Sequence, residues 1–146
     1  MQLTQHFSLE ELTASDYAHR KGIDNTPSDP VRANLLVLAR QLEVVRGILN
    51  VPLEITSGYR CLAVNRALGS KDTSAHVLGL AADFRAPLFG TPLEVAQALS
   101  EHAEEIGFDQ LIHEFRSWVH IGFRPDGARG QLLTIDTRGT QIGLLA

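Results

Sequence analysis

The sequence predicts an α+β fold, a small, mostly antiparallel sheet with helices packed on one side. Three observations carry this. One long segment repeats apolar residues at helical spacing, five short runs are β-rich, and two of those runs are close enough to form a hairpin. The chain has 146 residues, no internal repeat and no low-complexity tract, so one domain spanning 1–146 and one core are expected. Within it, residues 1–28 read as an N-terminal wrap and 136–146 as a turn-rich tail.

Ser8-Leu9-Glu10-Glu11 has the form of a capping box, with Phe7 and Leu12 placed as a hydrophobic staple. A short helix over about 9–13 follows. Residues 13–28 are polar and irregular, with Asp24-Asn25-Thr26-Pro27 as a turn signal. A connection of that length is expected to wrap the surface or help shape a cleft. The main helix starts at Ser28 or Asp29, with Pro30 at its first position. Val31, Leu35, Leu38, Leu42, Val45 and Leu49 then recur at spacings of four, three, four, three and four. That stripe marks one face of a helix buried against a core.

Asn50-Val51-Pro52 ends the helix, and 53–56 alternates as a strand. Ser57-Gly58-Tyr59-Arg60 leaves the strand, a short helical piece spans about 62–68, and 69–73 is a loop. Residues 80–85 read as a strand. Thr91-Pro92-Leu93-Glu94 opens a helix that runs to about Ile106 and stops at Gly107. Residues 109–114 and 118–123 form an antiparallel hairpin, and a last strand over 131–135 closes the sheet.

The composition is that of an ordinary soluble globular chain, 44% hydrophobic and 21% charged. A net charge of -4, with no basic cluster, argues against a nucleic-acid partner. No apolar run is long enough for a membrane span, and the N-terminus lacks the basic start and apolar core of a signal peptide. The chain is therefore expected to be a monomer made in the cytoplasm, with any role outside it requiring separate release. The lone Cys61 excludes an internal disulfide and is expected to be a small buried residue.

The chemistry gathers in Ser74-Ala75-His76-Val77-Leu78-Gly79-Leu80-Ala81-Ala82-Asp83-Phe84, where an imidazole and a carboxylate sit in an apolar run. Burying an ionised carboxylate is costly unless a partner or metal takes its charge. Ser117-Trp118-Val119-His120-Ile121-Gly122-Phe123 sets a second histidine in similar surroundings. His76, Asp83 and His120 form a set suited to Zn²⁺ with an open fourth position. Strand alternation turns Ala82, Phe84, Val119, Ile121 and Phe123 toward the core, leaving Asp83 and His120 on the other face. The site would thus lie in a cleft on the sheet, with Gly79 letting the chain turn between His76 and its strand.

The hairpin turn decides which acid joins them. A two-residue turn at Arg116-Ser117 would pair His113 with His120. A three-residue turn over 115–117 would pair Ile112 with His120 and Glu114 with Trp118, bringing Glu114 to the ligand face as general base. The second is favoured, because Ile112 and Phe115 suit a core better than a cleft.

The pattern Ser74-x-His76-x-x-Gly79-x-Ala81-x-Asp83, followed by Trp118-x-His120, resembles the zinc D-alanyl-D-alanine carboxypeptidase and endolysin endopeptidase family of peptidoglycan hydrolases, peptidase family M15. Ser57-Gly58-Tyr59-Arg60 followed by Asn65 is similar to the same family's Ser-Gly-Tyr-Arg block. The resemblance covers about 7–123 and is nearest to the compact single-domain branch found in phages and prophages. It implies that His76, Asp83 and His120 hold zinc, that an acidic residue is the base, and that Arg60 binds a substrate carboxylate or steadies the oxyanion. Several members place the acid three residues before the last ligand, where this chain has Ser117; Glu114 is the candidate base here and His113 the reserve. Ser74, Trp118 and Tyr59 are candidates for supporting the ligands or binding substrate.

The activity so implied is hydrolysis of an amide in the peptide stem of bacterial peptidoglycan. It would be a D,D-carboxypeptidase, a D,D-endopeptidase or an L-Ala-D-Glu endopeptidase, acting on the wall after release during phage or prophage lysis. The alternative is a non-catalytic zinc module that binds peptide or wall fragments, or a structural part of a phage particle.

Overall fold

The stripe on the main helix finds its partner in a six-stranded sheet, as seen in a computed structural model that describes residues 1–146. The helices are α1 (Leu9–Thr13), α2 (Asp16–Lys21), α3 (Asp29–Leu49), α4 (Leu62–Ala67), α5 (Pro92–Ser100) and α6 (Ala103–Ile106). The strands are β1 (Glu54–Ser57), β2 (Ala81–Arg85), β3 (Gln110–Glu114), β4 (Trp118–Gly122), β5 (Gln131–Asp136) and β6 (Gly139–Ile142). They lie in the order β1-β2-β4-β3-β5-β6, antiparallel throughout except for β3 and β5.

That parallel pair follows from the hairpin. Gln110 opens β3 opposite Gly122, the last residue of β4, so the chain leaves the hairpin beside the start of β3. A short loop then needs only to step across the sheet before Gln131 pairs with Gln110 in the same direction. Asp109 anchors that loop by accepting from the amide N–H, Nε and Nη2 of Arg129.

Leu35, Leu38, Leu42, Val45 and Leu49 of α3 are buried with Val95 and Leu99 of α5 against Ala82, Phe84, Leu111, Val119 and Ile121 of the sheet. Removing this apolar surface from water is the main stabilising term. The other sheet face carries Asp83, Ile112, Glu114 and His120 and opens into a cleft of about 1620 Å³.

Several sequence expectations change. The polar segment after α1 contains α2, capped by Ser15, whose Oγ accepts from Ala18 N–H. Within the segment, Ala14, Ser15, Asp16, Tyr17 and Arg20 line the cleft. The helix opened by Thr91 breaks at Glu101-His102 into α5 and α6. The tail carries β6, which covers the edge of β5, so β5 is internal rather than last. Cys61 is half-buried, not buried. No helix is long and apolar enough to cross a membrane.

Candidate metal centre

Three segments meet at the cleft floor. Asp83 of β2 and His120 of β4 are direct cross-strand partners, so both side chains rise from the same sheet face. His76 arrives from a 3₁₀ turn over Ala75–Leu78, capped at its start by Ser74, whose Oγ accepts from His76 N–H at 3.3 Å. The turn ends at Gly79, where φ is +73° and a Cβ would meet Val31 Cγ1 at 2.9 Å. Glycine there satisfies both the left-handed backbone and the tight approach to α3.

One ligand atom from each of His76, Asp83 and His120 lies within 4.8 Å of the others, and all three residues are buried. Asp83 Oδ1 is 2.9 Å from His120 Nδ1 and 3.3 Å from His76 Nε2. Tetrahedral ligands 2.0–2.1 Å from zinc lie roughly 3.3 Å from one another, so the spacing suits that ion.

The protonation state of His76 is the sharper test of fit. Its Nδ1 is 2.7 Å from Gly58 O, a carbonyl that can only accept, so Nδ1 carries the proton. The lone pair then sits on Nε2, which is buried without a hydrogen-bond partner and faces a carboxylate oxygen. Two acceptors aimed at one another are unfavourable until a cation lies between them. Burial holds the His76 imidazole below its usual range, which keeps it in the neutral, ligating form. Burial would raise the Asp83 carboxyl, but the hydrogen bond with His120 works against that, and the carboxyl lies below its usual range.

The carbonyl that fixes His76 is itself held from the N-terminal segment. Tyr59 N–H donates to Leu12 O at 2.8 Å, and a Cβ on Gly58 would lie 2.3 Å from that same oxygen. Asn25 Nδ2 donates to Thr13 O and Tyr59 O, while its Oδ1 accepts from Cys61 N–H. Asn25, read from sequence only as a turn residue, therefore clamps the Ser57–Cys61 loop.

The hairpin takes the three-residue turn, with Ile112 opposite His120 and Glu114 opposite Trp118. The reason offered from sequence does not hold, however. Direct opposition puts Ile112 on the cleft floor, and Phe115 is 45% exposed. The turn instead places Phe115 and Arg116 at φ +51° and +56°, closed by Ser117 N–H to Glu114 O. Two consecutive left-handed non-glycine residues are strained. Phe115 N–H bonds to Ile135 O and its ring packs on Trp118 at 5.7 Å, contacts that hold the turn in place.

Glu114 Oε1 reaches 3.9 Å from His120 Nδ1 at the edge of the three-residue group. Burial raises its carboxyl above the usual range, and the Asp83 charge adds to that. Trp118 lines the cleft beside it. His113, the reserve base, points the other way: it pairs with Val119 on the helix side, and its Nδ1 lies 2.9 Å from Leu145 O. Tyr59 is likewise spent on the core. Arg60 is buried at the cleft, where its Nη2 donates to Asp83 Oδ2 at 3.2 Å. Ser57, the first residue of the Ser-Gly-Tyr-Arg block, and Ser70, which carried no signal in the sequence, also accept from Arg60.

Residues 5–122 match the family model of Peptidase M15, most of the chain, and the protein belongs to that family. No curated protein matches the chain.

Proposed function

We propose that this M15 peptidase is a zinc enzyme that hydrolyses an amide bond in the peptide stem of bacterial peptidoglycan. The observation that carries the metal half of the reading is the unpartnered, buried Nε2 of His76, facing Asp83 with His120 alongside. The peptidoglycan half rests on the Ser-Gly-Tyr-Arg block and the Ser-x-His-x-x-Gly-x-Ala-x-Asp pattern, supported by membership of a peptidase family.

In this reading His76, Asp83 and His120 hold the ion. With two neutral imidazoles and one carboxylate the site keeps a charge near +1, and zinc there supplies Lewis acidity that polarises an amide carbonyl and acidifies water. Glu114 takes the proton from the attacking water and returns it to the leaving amine. Its half-buried position and raised carboxyl pKa suit a group that must hold a proton between those steps. Trp118 and Ile112 form the apolar floor against which the peptide rests. The place of Glu114 beside His120 favours an enzyme over a non-catalytic zinc module.

The setting proposed is lysis by a phage or prophage, with the protein reaching the wall as a monomer once the membrane is breached. The test is release of peptide fragments from purified cell-wall material. Release should stop on chelation and return with zinc. A zinc-loaded protein inert on every wall preparation would refute the reading.

A further inference from the structure

We propose that Arg60 is a positioning residue for the metal ligand Asp83 and not a clamp for a substrate carboxylate. The proposal rests on the zinc reading above and turns on a count of donors. A guanidinium has five N–H groups, one on Nε and two on each Nη. Nε donates to Ser57 Oγ at 3.0 Å, Nη1 to Ser70 Oγ at 3.1 Å and Asn65 Oδ1 at 3.4 Å, and Nη2 to Asp83 Oδ2 at 3.2 Å. One N–H remains, on Nη2. Fork-to-fork recognition of a carboxylate needs two parallel N–H groups from adjacent nitrogens, and no such pair is left.

The same bonds divide the work of the Asp83 carboxylate. Oδ2 is taken by Arg60, while Oδ1 alone faces His76 and His120. A carboxylate held this way offers one oxygen at a fixed angle and is kept from swinging round to chelate with both. Arg60 is well built to hold it. Its own backbone N–H donates to His76 O, joining the loop to the first ligand's turn. Asn65 is fully buried and its Nδ2 is anchored on Lys71 O, so the far end of the guanidinium rests on a fixed support. Ser57 is the register partner of Asp83 across β1 and β2, which fixes the near end. The arrangement is a buried frame around one carboxylate oxygen, with 8% of Arg60 exposed.

The test measures zinc affinity by chelator competition, the visible spectrum of the Co²⁺-substituted protein, and kcat and KM on a soluble muropeptide, for wild type and Arg60→Lys. Lysine keeps the charge but not the fork. Arg60→Lys is expected to weaken zinc binding roughly 10–100-fold and shift the Co²⁺ bands, with KM within about threefold of wild type and the loss falling on kcat. Unchanged zinc affinity and Co²⁺ spectrum with KM raised about tenfold or more would overturn the proposal in favour of a substrate clamp. Should Arg60→Lys fail to fold, Ser70→Ala, which removes one support of the guanidinium, is read the same way. Weaker zinc binding supports the proposal and unchanged binding overturns it. A wild-type chain that holds no zinc defeats the proposed function and this inference with it, whereas zinc binding indifferent to both substitutions defeats this inference alone.

Discussion

Gly58→Ala should damage stability and metal binding together, because one backbone position serves both. The new Cβ would lie 2.3 Å from Leu12 O and 2.9 Å from Leu12 C, backbone atoms that cannot rotate away. An ordinary carbon–oxygen contact needs about 1 Å more, so the loop or α1 must move. Overpacking of this kind costs roughly 1–3 kcal/mol. The shift also breaks Tyr59 N–H to Leu12 O, worth about 1 kcal/mol. Alanine stiffens the unfolded chain and returns about 0.4–1 kcal/mol. The net loss is about 1–3.5 kcal/mol, or roughly 2–14 °C in Tm for a chain of this size. The same movement withdraws Gly58 O from His76 Nδ1, so zinc affinity should fall roughly 10–100-fold. Thermal unfolding with and without zinc, alongside chelator competition, reads both. A variant with wild-type Tm and wild-type zinc affinity would refute the claim that the N-terminal segment sets the His76 tautomer through Gly58.

Other consequences follow from the same structure. Gly47→Ala in the last turn of α3 meets nothing within 4 Å and should raise stability by up to roughly 0.5–1 kcal/mol by urea unfolding, with peptidase activity unaltered. Glu114→Gln should keep zinc but lower kcat about 10²–10⁴-fold in a muropeptide assay, and near-wild-type turnover would remove Glu114 as base. Asp109→Asn tests linkage. Hydrogen bonds from Arg129 hold the Asp109 carboxyl below its usual range, so the stability it adds is fully present above the unfolded value of about 3.9 and is lost as pH falls through the lower folded value. Wild type should therefore exceed Asp109→Asn in urea stability at neutral pH, with the gap closing in acid.

The legible parts of this fold were those with strong local causes. The α3 stripe, the Thr91-Pro92 helix start and the parity of Asp83 and His120 all follow from period and capping, and tertiary packing agrees with them. α2 was missed because Asp16–Lys21 buries only Ala18 and so shows no apolar period. β6 was missed because it is an edge strand of Gly-Thr-Gln-Ile whose isoleucine is 90% exposed. The hairpin register came out as expected although Ile112 and Phe115 lie where the supporting reason said they should not. A cleft floor accepts an apolar side chain as readily as a core does. The supporting frame around the site was the least legible. Asn25 joins Thr13, Tyr59 and Cys61 and Ser70 accepts from Arg60 ten residues away, contacts made by the folding of the chain that no spacing in a sequence records.

The central claim is that His76, Asp83 and His120 hold one zinc ion that the reaction needs. Metal analysis of the purified protein, paired with peptide release from cell-wall material, tests it most directly. Wild type should carry one zinc per chain and release peptide, with both lost in His120→Ala and after chelation, and both restored in wild type by added zinc. Full peptide release from metal-free wild type, or one tightly held zinc in His120→Ala, would contradict it.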